Sequence, residues 1–289
     1  LTLIWSYNWI VMKQALAYSG PFTFSAVRYA GGTAVLFLLL RARRESLAPP
    51  PFWPTLGIGL AQTAGFQAMV QRALVSGGAG KTALLAYTMP FWAIALAWPL
   101  LGTRPGRWQW LSIALAATGL LLVIAPWQGV GSPRSVLLAL AGGLCWALGT
   151  VLAKRLFERR SVALLNLSAW QMLHGTVLLV LLAVLVPQPI VRWTPPFIAA
   201  VAYNVLLASG LGWALWLLLV QRMPAQVASL TSLAIPVAGV LLAWMILHER
   251  PGAWELGGIG LIALALLSVA APRPGALSAG ASGAMVCAC

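Results

Sequence analysis

TMPFWAIALAWPLLGTRPGRW (residues 88–108) returns, altered but in register, as AIPVAGVLLAWMILHERPGAW (residues 234–254). One offset of 146 residues sets Pro90 on Pro236, Arg104 on Arg250, Pro105 on Pro251, Gly106 on Gly252 and Trp108 on Trp254. Earlier in the chain an offset of 141 sets Trp5 on Trp146 and Lys13 on Lys154, and a loop absorbs the difference. Arg104 and Trp108, which flank a tight turn and could pass for a site, are therefore better read as markers of a duplicated fold.

Composition supplies the solvent of that fold. The chain is 61% apolar and 8% charged, with mean hydropathy +0.90, so lipid surrounds it. The net charge of +14 would point to nucleic acid in a water-soluble protein. Here Lys and Arg fall mostly between apolar runs, where they orient a membrane protein and hold it at the headgroups. No nucleic-acid partner is expected. Cys145 lies in an apolar run and Cys287 and Cys289 at the end, a spacing that gives neither a disulfide framework nor a metal site. No cofactor is called for.

A helix needs about 20 apolar residues to cross a bilayer. Cutting at charged, Pro and Gly punctuation leaves ten such segments: 1–18, 22–40, 53–74, 77–100, 108–125, 136–157, 162–186, 196–220, 225–247 and 253–271. The chain opens inside the first of them, so a preceding tail is expected, and no cleavable signal peptide is recognisable. Residues 126–135 read as a linker, and the small-residue tail 272–289 is expected to be disordered. The halves are thus 1–125 and 136–271, with five helices each. Five is odd, so the second half enters the membrane from the opposite side. The fold class expected is an all-α integral membrane protein, ten transmembrane helices as two inverted-topology repeats with a binding site between them.

Basic residues orient it. With the N-terminus inside, the cytoplasmic gaps hold Arg41, Arg43, Arg44, Arg104, Arg107, Lys154, Arg155, Arg159, Arg160, Arg222 and Arg273, against Arg72, Lys81, Arg134, Arg192 and Arg250 outside. Both termini are expected in the cytoplasm and the chain in a bacterial inner membrane.

The long matched segments, 88–122 and 234–267, resemble the two EamA domains of the drug/metabolite transporter superfamily, and the similarity spans nearly the whole chain. In overall character the sequence is similar to bacterial aromatic amino acid exporters of the YddG type. The resemblance implies transport of a small molecule along a pathway between the halves, for which a monomer suffices; oligomeric state is left open.

Polar residues in mid-helix face a cavity or another helix rather than lipid. Trp5, Asn8, Trp9 and Met12 share one face of the first helix, and Asn166, Trp170 and His174 share one of the seventh. Gln67 and Gln71 share a face of the third, where Gln67 corresponds to Trp213 of the eighth. Tyr87 precedes Pro90 in the fourth helix, as Leu233 precedes Pro236 in the ninth, with Ser229 and Ser232 nearby. The expected substrate contacts are Trp5, Asn8, Gln67, Tyr87, Trp170, His174, Trp213, Ser229 and Ser232. Asn8 alternatively bonds a neighbouring helix. Pro90 and Pro236 are hinges or static kinks, and Trp98, Trp108, Trp193 and Trp254 are interfacial anchors. Lys13 and Arg28 lie at similar depth on adjacent helices; either they snorkel or one meets a substrate anion, for which Arg28 has the better geometry.

No helix carries a carboxylate at its centre, since Glu45, Glu158, Glu249 and Glu255 all fall in loops or at helix ends. Two His and peripheral Glu do not assemble an intramembrane enzyme. The expected function is export of small amphipathic metabolites, aromatic or neutral amino acids above all, by alternating access, uncoupled or by exchange. The alternatives are proton-coupled efflux through His174 and carriage of phosphorylated metabolites, which would need several cavity cations.

Overall fold

The computed structural model describes residues 1–77, 79–128, 132–247 and 252–270. Arg250 and Pro251 of the second repeat motif, Glu249, Arg273, residues 129–131 of the linker and the tail 272–289 lie outside the described residues.

All regular structure among the described residues is helical: α1 (Thr2–Ala15), α2 (Pro21–Ala42), α3 (Phe52–Ile58), α4 (Phe66–Ser76), α5 (Ala79–Ala86), α6 (Met89–Leu101), α7 (Arg107–Ile124), α8 (Pro133–Arg159), α9 (Leu164–Leu185), α10 (Pro195–Tyr203), α11 (Gly212–Arg222), α12 (Ala225–Thr231), α13 (Ala234–Leu247) and α14 (Ala253–Ala270). Six helical stretches among the described residues are long and apolar enough to cross a bilayer: Pro21–Ala42, Gly80–Leu101, Arg107–Ile124, Pro133–Arg159, Leu164–Leu185 and Pro195–Arg222. Leu137, Val184, Leu185, Leu206, Leu264 and Leu267 project outward, while Arg28, Gln62, Gln67, Gln71 and Asn204 are buried. That inversion of a water-soluble protein's pattern is what lipid selects.

Two expected helices are not uniform. The third span runs α3, a π-helical stretch Gly59–Gly65, then α4, and the eighth runs α10, a π-helical stretch Asn204–Leu211, then α11. The wider winding goes with close packing. A Cβ on Gly59 would stand 2.3 Å from the Gln171 carbonyl of α9, and one on Gly212 would stand 2.4 Å from the Trp5 indole nitrogen. π turns of this kind recur at functional sites.

The fourth and ninth spans each break, after Ala86 and after Thr231. Pro90 lies in the first turn of α6, where its missing N–H costs nothing. The Ala86 carbonyl it leaves without a helical donor faces Gly143 of α8, where a Cβ would come within 2.8 Å. In the second break Ile235 N–H donates to the Ser232 carbonyl at 3.0 Å and Ser6 Oγ donates to the Ile235 carbonyl at 2.7 Å.

Helices from the two halves pack antiparallel. Thr33 and Thr176 share a hydrogen bond of 3.3 Å and Phe37 meets Trp170, aligning α2 with α9. Ser112 meets Ser268 at 2.6 Å, and a Cβ on Gly119 would stand 2.7 Å from the Gly258 carbonyl, aligning α7 with α14. Small residues let these backbones approach closely.

Candidate functional site

One pocket is lined by α1, α2 and α8 together with the two rewound spans and the break after α5. Trp5, Asn8, Trp9 and Met12 reach it from α1, Arg28 and Tyr29 from α2, and Phe66 and Gln67 from α4. Tyr87 reaches it from the break after α5, Trp146 from α8, Ala208 from the second π stretch and Trp213 from α11. Its free volume is about 30 Å³, room for a water-sized guest or two. A larger guest must move rings aside.

Those rings form a cage. Trp5 stands 5.5 Å from Trp146, 5.1 Å from Trp213 and 6.0 Å from Trp216, while Trp146 stands 5.1 Å from Phe66 and 5.7 Å from Tyr87. Tilted and edge-to-face pairs at such distances are favourable, worth about 0.5–1.5 kcal/mol each beyond burial. Hydrogen bonds fix their orientation. Trp5 Nε1 donates to the Ala208 carbonyl at 3.0 Å, a carbonyl in the π stretch; Trp9 Nε1 donates to Tyr87 Oη at 3.3 Å, and Trp213 Nε1 to Tyr29 Oη at 2.7 Å.

Among the described residues, one charged side chain, Arg28, enters this cage. Arg28 is 2% exposed. Its guanidinium donates to Asn204 Oδ1 at 2.5 Å, Gln67 Oε1 at 2.6 Å and Tyr29 Oη at 3.4 Å, and lies 4.8 Å from the centre of the Tyr29 ring. Its Nε, the Trp146 Nε1 and the Asn8 Oδ1 are buried without partners among the described atoms. No acid among the described residues lines the pocket. Of the described acids, Glu45 pairs with Arg43, Glu158 faces Lys154 and Glu255 accepts from the Gly252 N–H. A buried charge with neutral partners only is costly, so the pocket is electrostatically suited to an anionic group.

The structure thus brings together Trp5, Asn8, Gln67, Tyr87, Trp213 and Arg28. It does not bring the other expected contacts to them. Trp170 Nε1 donates to the Leu47 carbonyl at 3.2 Å and Asn166 Nδ2 to the Ser46 and Ala48 carbonyls, while His174 packs against Phe52 and Trp170. This polar face of α9 clasps the segment between α2 and α3. Ser229 and Ser232 are buried at the break between α12 and α13, where Ser232 Oγ donates to the Ser229 carbonyl. Lys13 neither lines the pocket nor snorkels freely; its Nζ donates to the Leu74 and Gly77 carbonyls at 2.6 and 2.9 Å. Pro90 and Pro236 shape the breaks beside the pocket.

Tyr29, Phe66 and Trp146 were not among the expected contacts. Trp146 was signalled by its match to Trp5: matched residues of the two family-matched halves that touch each other lie where the halves meet.

A model of the EamA-like transporter family matches residues 1–125 and again 133–271. The chain belongs to that family. It is 24% identical over 257 residues to the uncharacterized transporter YoaV of Bacillus subtilis, covering 86% of this chain and 87% of YoaV. It is 26% identical over 273 residues to a probable amino-acid metabolite efflux pump of Salmonella typhimurium, covering 91% and 89%. A solved crystal structure, 20% identical, superposes with a TM-score of 0.75 over 92% of this chain and 95% of that one, and so shares the fold. This EamA chain is a multi-pass membrane transporter, and its pocket lies among helices drawn from both family matches.

Proposed function

We propose that this EamA transporter exports small amphipathic metabolites bearing one carboxylate, with aromatic and neutral amino acids as the best fit, from the cytoplasm across the bacterial inner membrane. The observation that carries the reading is Arg28, a buried guanidinium with an unpartnered Nε in an aromatic cage that no acid among the described residues lines. A substrate carboxylate would take the place of the missing counter-ion, its ammonium would meet Asn8 Oδ1 and Tyr87 Oη, and its apolar side chain would displace rings of the cage. A single cation suits a monoanion; a phosphorylated metabolite would want more. His174 does not line the pocket, which favours uncoupled transport or exchange over a proton relay there.

The architecture proposed is ten spans in two inverted repeats with both termini cytoplasmic, alternating by rocking about the pocket. Antiparallel pairing of α2 with α9 and of α7 with α14 supports it, as does the recurrence of the π stretches and the breaks close to one offset. The relative named as an amino-acid metabolite efflux pump supports the substrate class.

Counterflow in proteoliposomes tests the reading. Tryptophan or phenylalanine inside should accelerate uptake of its labelled counterpart, and tryptamine or phenethylamine, which lack the carboxylate, should not. Equal acceleration by acid and amine would refute the role of Arg28.

A further inference from the structure

Every helix end leaves backbone carbonyls without intrahelical donors, and in a membrane such groups are costly unless something caps them. Two helix ends here are capped in the same way, 146 residues apart. α4 ends at Gly77, whose N–H donates to the Ala73 carbonyl, and α11 ends at Met223, whose N–H donates to the Leu219 carbonyl; both caps are extended. A lysine from the first helix of the same half approaches each end. Lys13 of α1 donates to the Leu74 and Gly77 carbonyls at 2.6 and 2.9 Å. Lys154 of α8, its repeat equivalent, reaches the Gln221 carbonyl at 3.5 Å and stands 3.8 Å from Glu158.

The donor is the same and the engagement is not, and Lys154 has Glu158 one turn on where Lys13 has Ala17. Lys13 makes two short bonds. Lys154 makes one long bond, and beside it opens a cavity of about 200 Å³ whose lining includes Lys154, Glu158, Arg222 and Gln226. In an inverted repeat the two ends lie on opposite membrane faces, and the two access states are related by exchanging the conformations of the halves. The slack arrangement at one lysine is then what the other adopts in the opposite state.

Resting on the inverted-repeat reading above, we propose that Lys13 and Lys154 are alternating latches of the transport cycle: Lys13 fastens α1 to α4 and closes the outer route while the inner route is open, and Lys154 fastens α8 to α11 and closes the inner route while the outer is open. In this structure the outer latch is shut and the inner one slack. Neither lysine touches substrate; both are positioning residues.

Cysteine accessibility in vesicles of known sidedness tests this. In a background carrying Cys145→Ala, Cys287→Ser and Cys289→Ser, Thr82→Cys, at a position 1% exposed, reports the outer route, and Met223→Cys, at a half-buried position lining the inner cavity, reports the inner. A membrane-impermeant maleimide reads each from its own face. Lys13→Met should raise labelling at position 82 and lower it at 223, and Lys154→Met should do the reverse, each by about fivefold for a population shift of about 1 kcal/mol. Lys13→Arg, which keeps charge and donors, should stay near the parent. If Lys13→Met does not yield folded protein, Lys13→Gln should move labelling the same way by less. Shifts of the same sign from both lysines, or none, would overturn the latch and leave plain helix caps. Labelling of both reporters from one face would instead overturn the inverted topology.

Discussion

At equivalent places the two halves carry unlike residues: Phe66 and Gln67 in α4 answer to Gly212 and Trp213 in α11. In the first half the ring comes one residue before the amide. In the second a glycine makes room for Trp5, and the next residue supplies an indole bonded to Tyr29. Carried into the second span, the offset of 141 sets Arg28 against Ala169. The scaffold is duplicated, and the proposed recognition site sits where the copies differ. This is reasonable physics, since the proposed substrate, an amino acid, has no two-fold symmetry and a symmetric cage could not distinguish its ends.

The largest break in that comparison is to remove its charge. Arg28→Gln should lower transport of a carboxylate-bearing substrate about a hundredfold, in keeping with roughly 2–3 kcal/mol for a hydrogen bond to a charged group. It should do so without lowering folded yield, because a buried cation with neutral partners is itself a burden. Counterflow and size-exclusion yield measured on one preparation check both statements. A smaller effect should follow from filling the space kept for Trp5. Gly212→Ala brings a methyl group to 2.4 Å from the indole nitrogen and should destabilise the fold by about 1–3 kcal/mol through overpacking, read as a lower Tm in detergent. The smallest effect is expected outside the pocket, where His174→Ala should change counterflow less than about twofold, as for a site away from the chemistry. A clear loss there, especially one tied to a pH gradient, would restore the histidine as a proton carrier.

Much of the fold is legible in the sequence because length, hydropathy and a repeated motif each constrain it. The pocket is legible in part. The face shared by Trp5, Asn8, Trp9 and Met12 follows from helical spacing, and all four line it. Spacing equally groups Asn166, Trp170 and His174, but periodicity tells which residues share a face and not what that face meets. Here it meets the segment of residues 46–48, folded back over α9, and nothing local to α9 encodes that. Ser232 and Ser229 lie apart from the pocket for a related reason, since the helix break turns the Ser232 hydroxyl to the Ser229 carbonyl and leaves Ser229 Oγ buried without a partner among the described atoms. Arg28 shows the opposite case. A cation near a helix end usually reaches for headgroups, and here the oxygens of Asn204, Gln67 and Tyr29, drawn from three separate helical spans, hold it inside together with the Tyr29 ring.

The crowded indoles carry a practical consequence. Trp5, Trp146 and Trp213 line the pocket with ring centres 5.1–6.2 Å apart, and Trp216 packs behind them, 6.0 Å from Trp5 and 5.2 Å from Trp146. Chromophores so close and so fixed exchange excitation and rotate polarised light in a way that depends on their mutual angles. The near-ultraviolet dichroism, which reports rigid aromatic packing, should therefore change whenever a ligand parts the rings, giving this transporter a built-in optical gauge of occupancy that needs no label and no gradient.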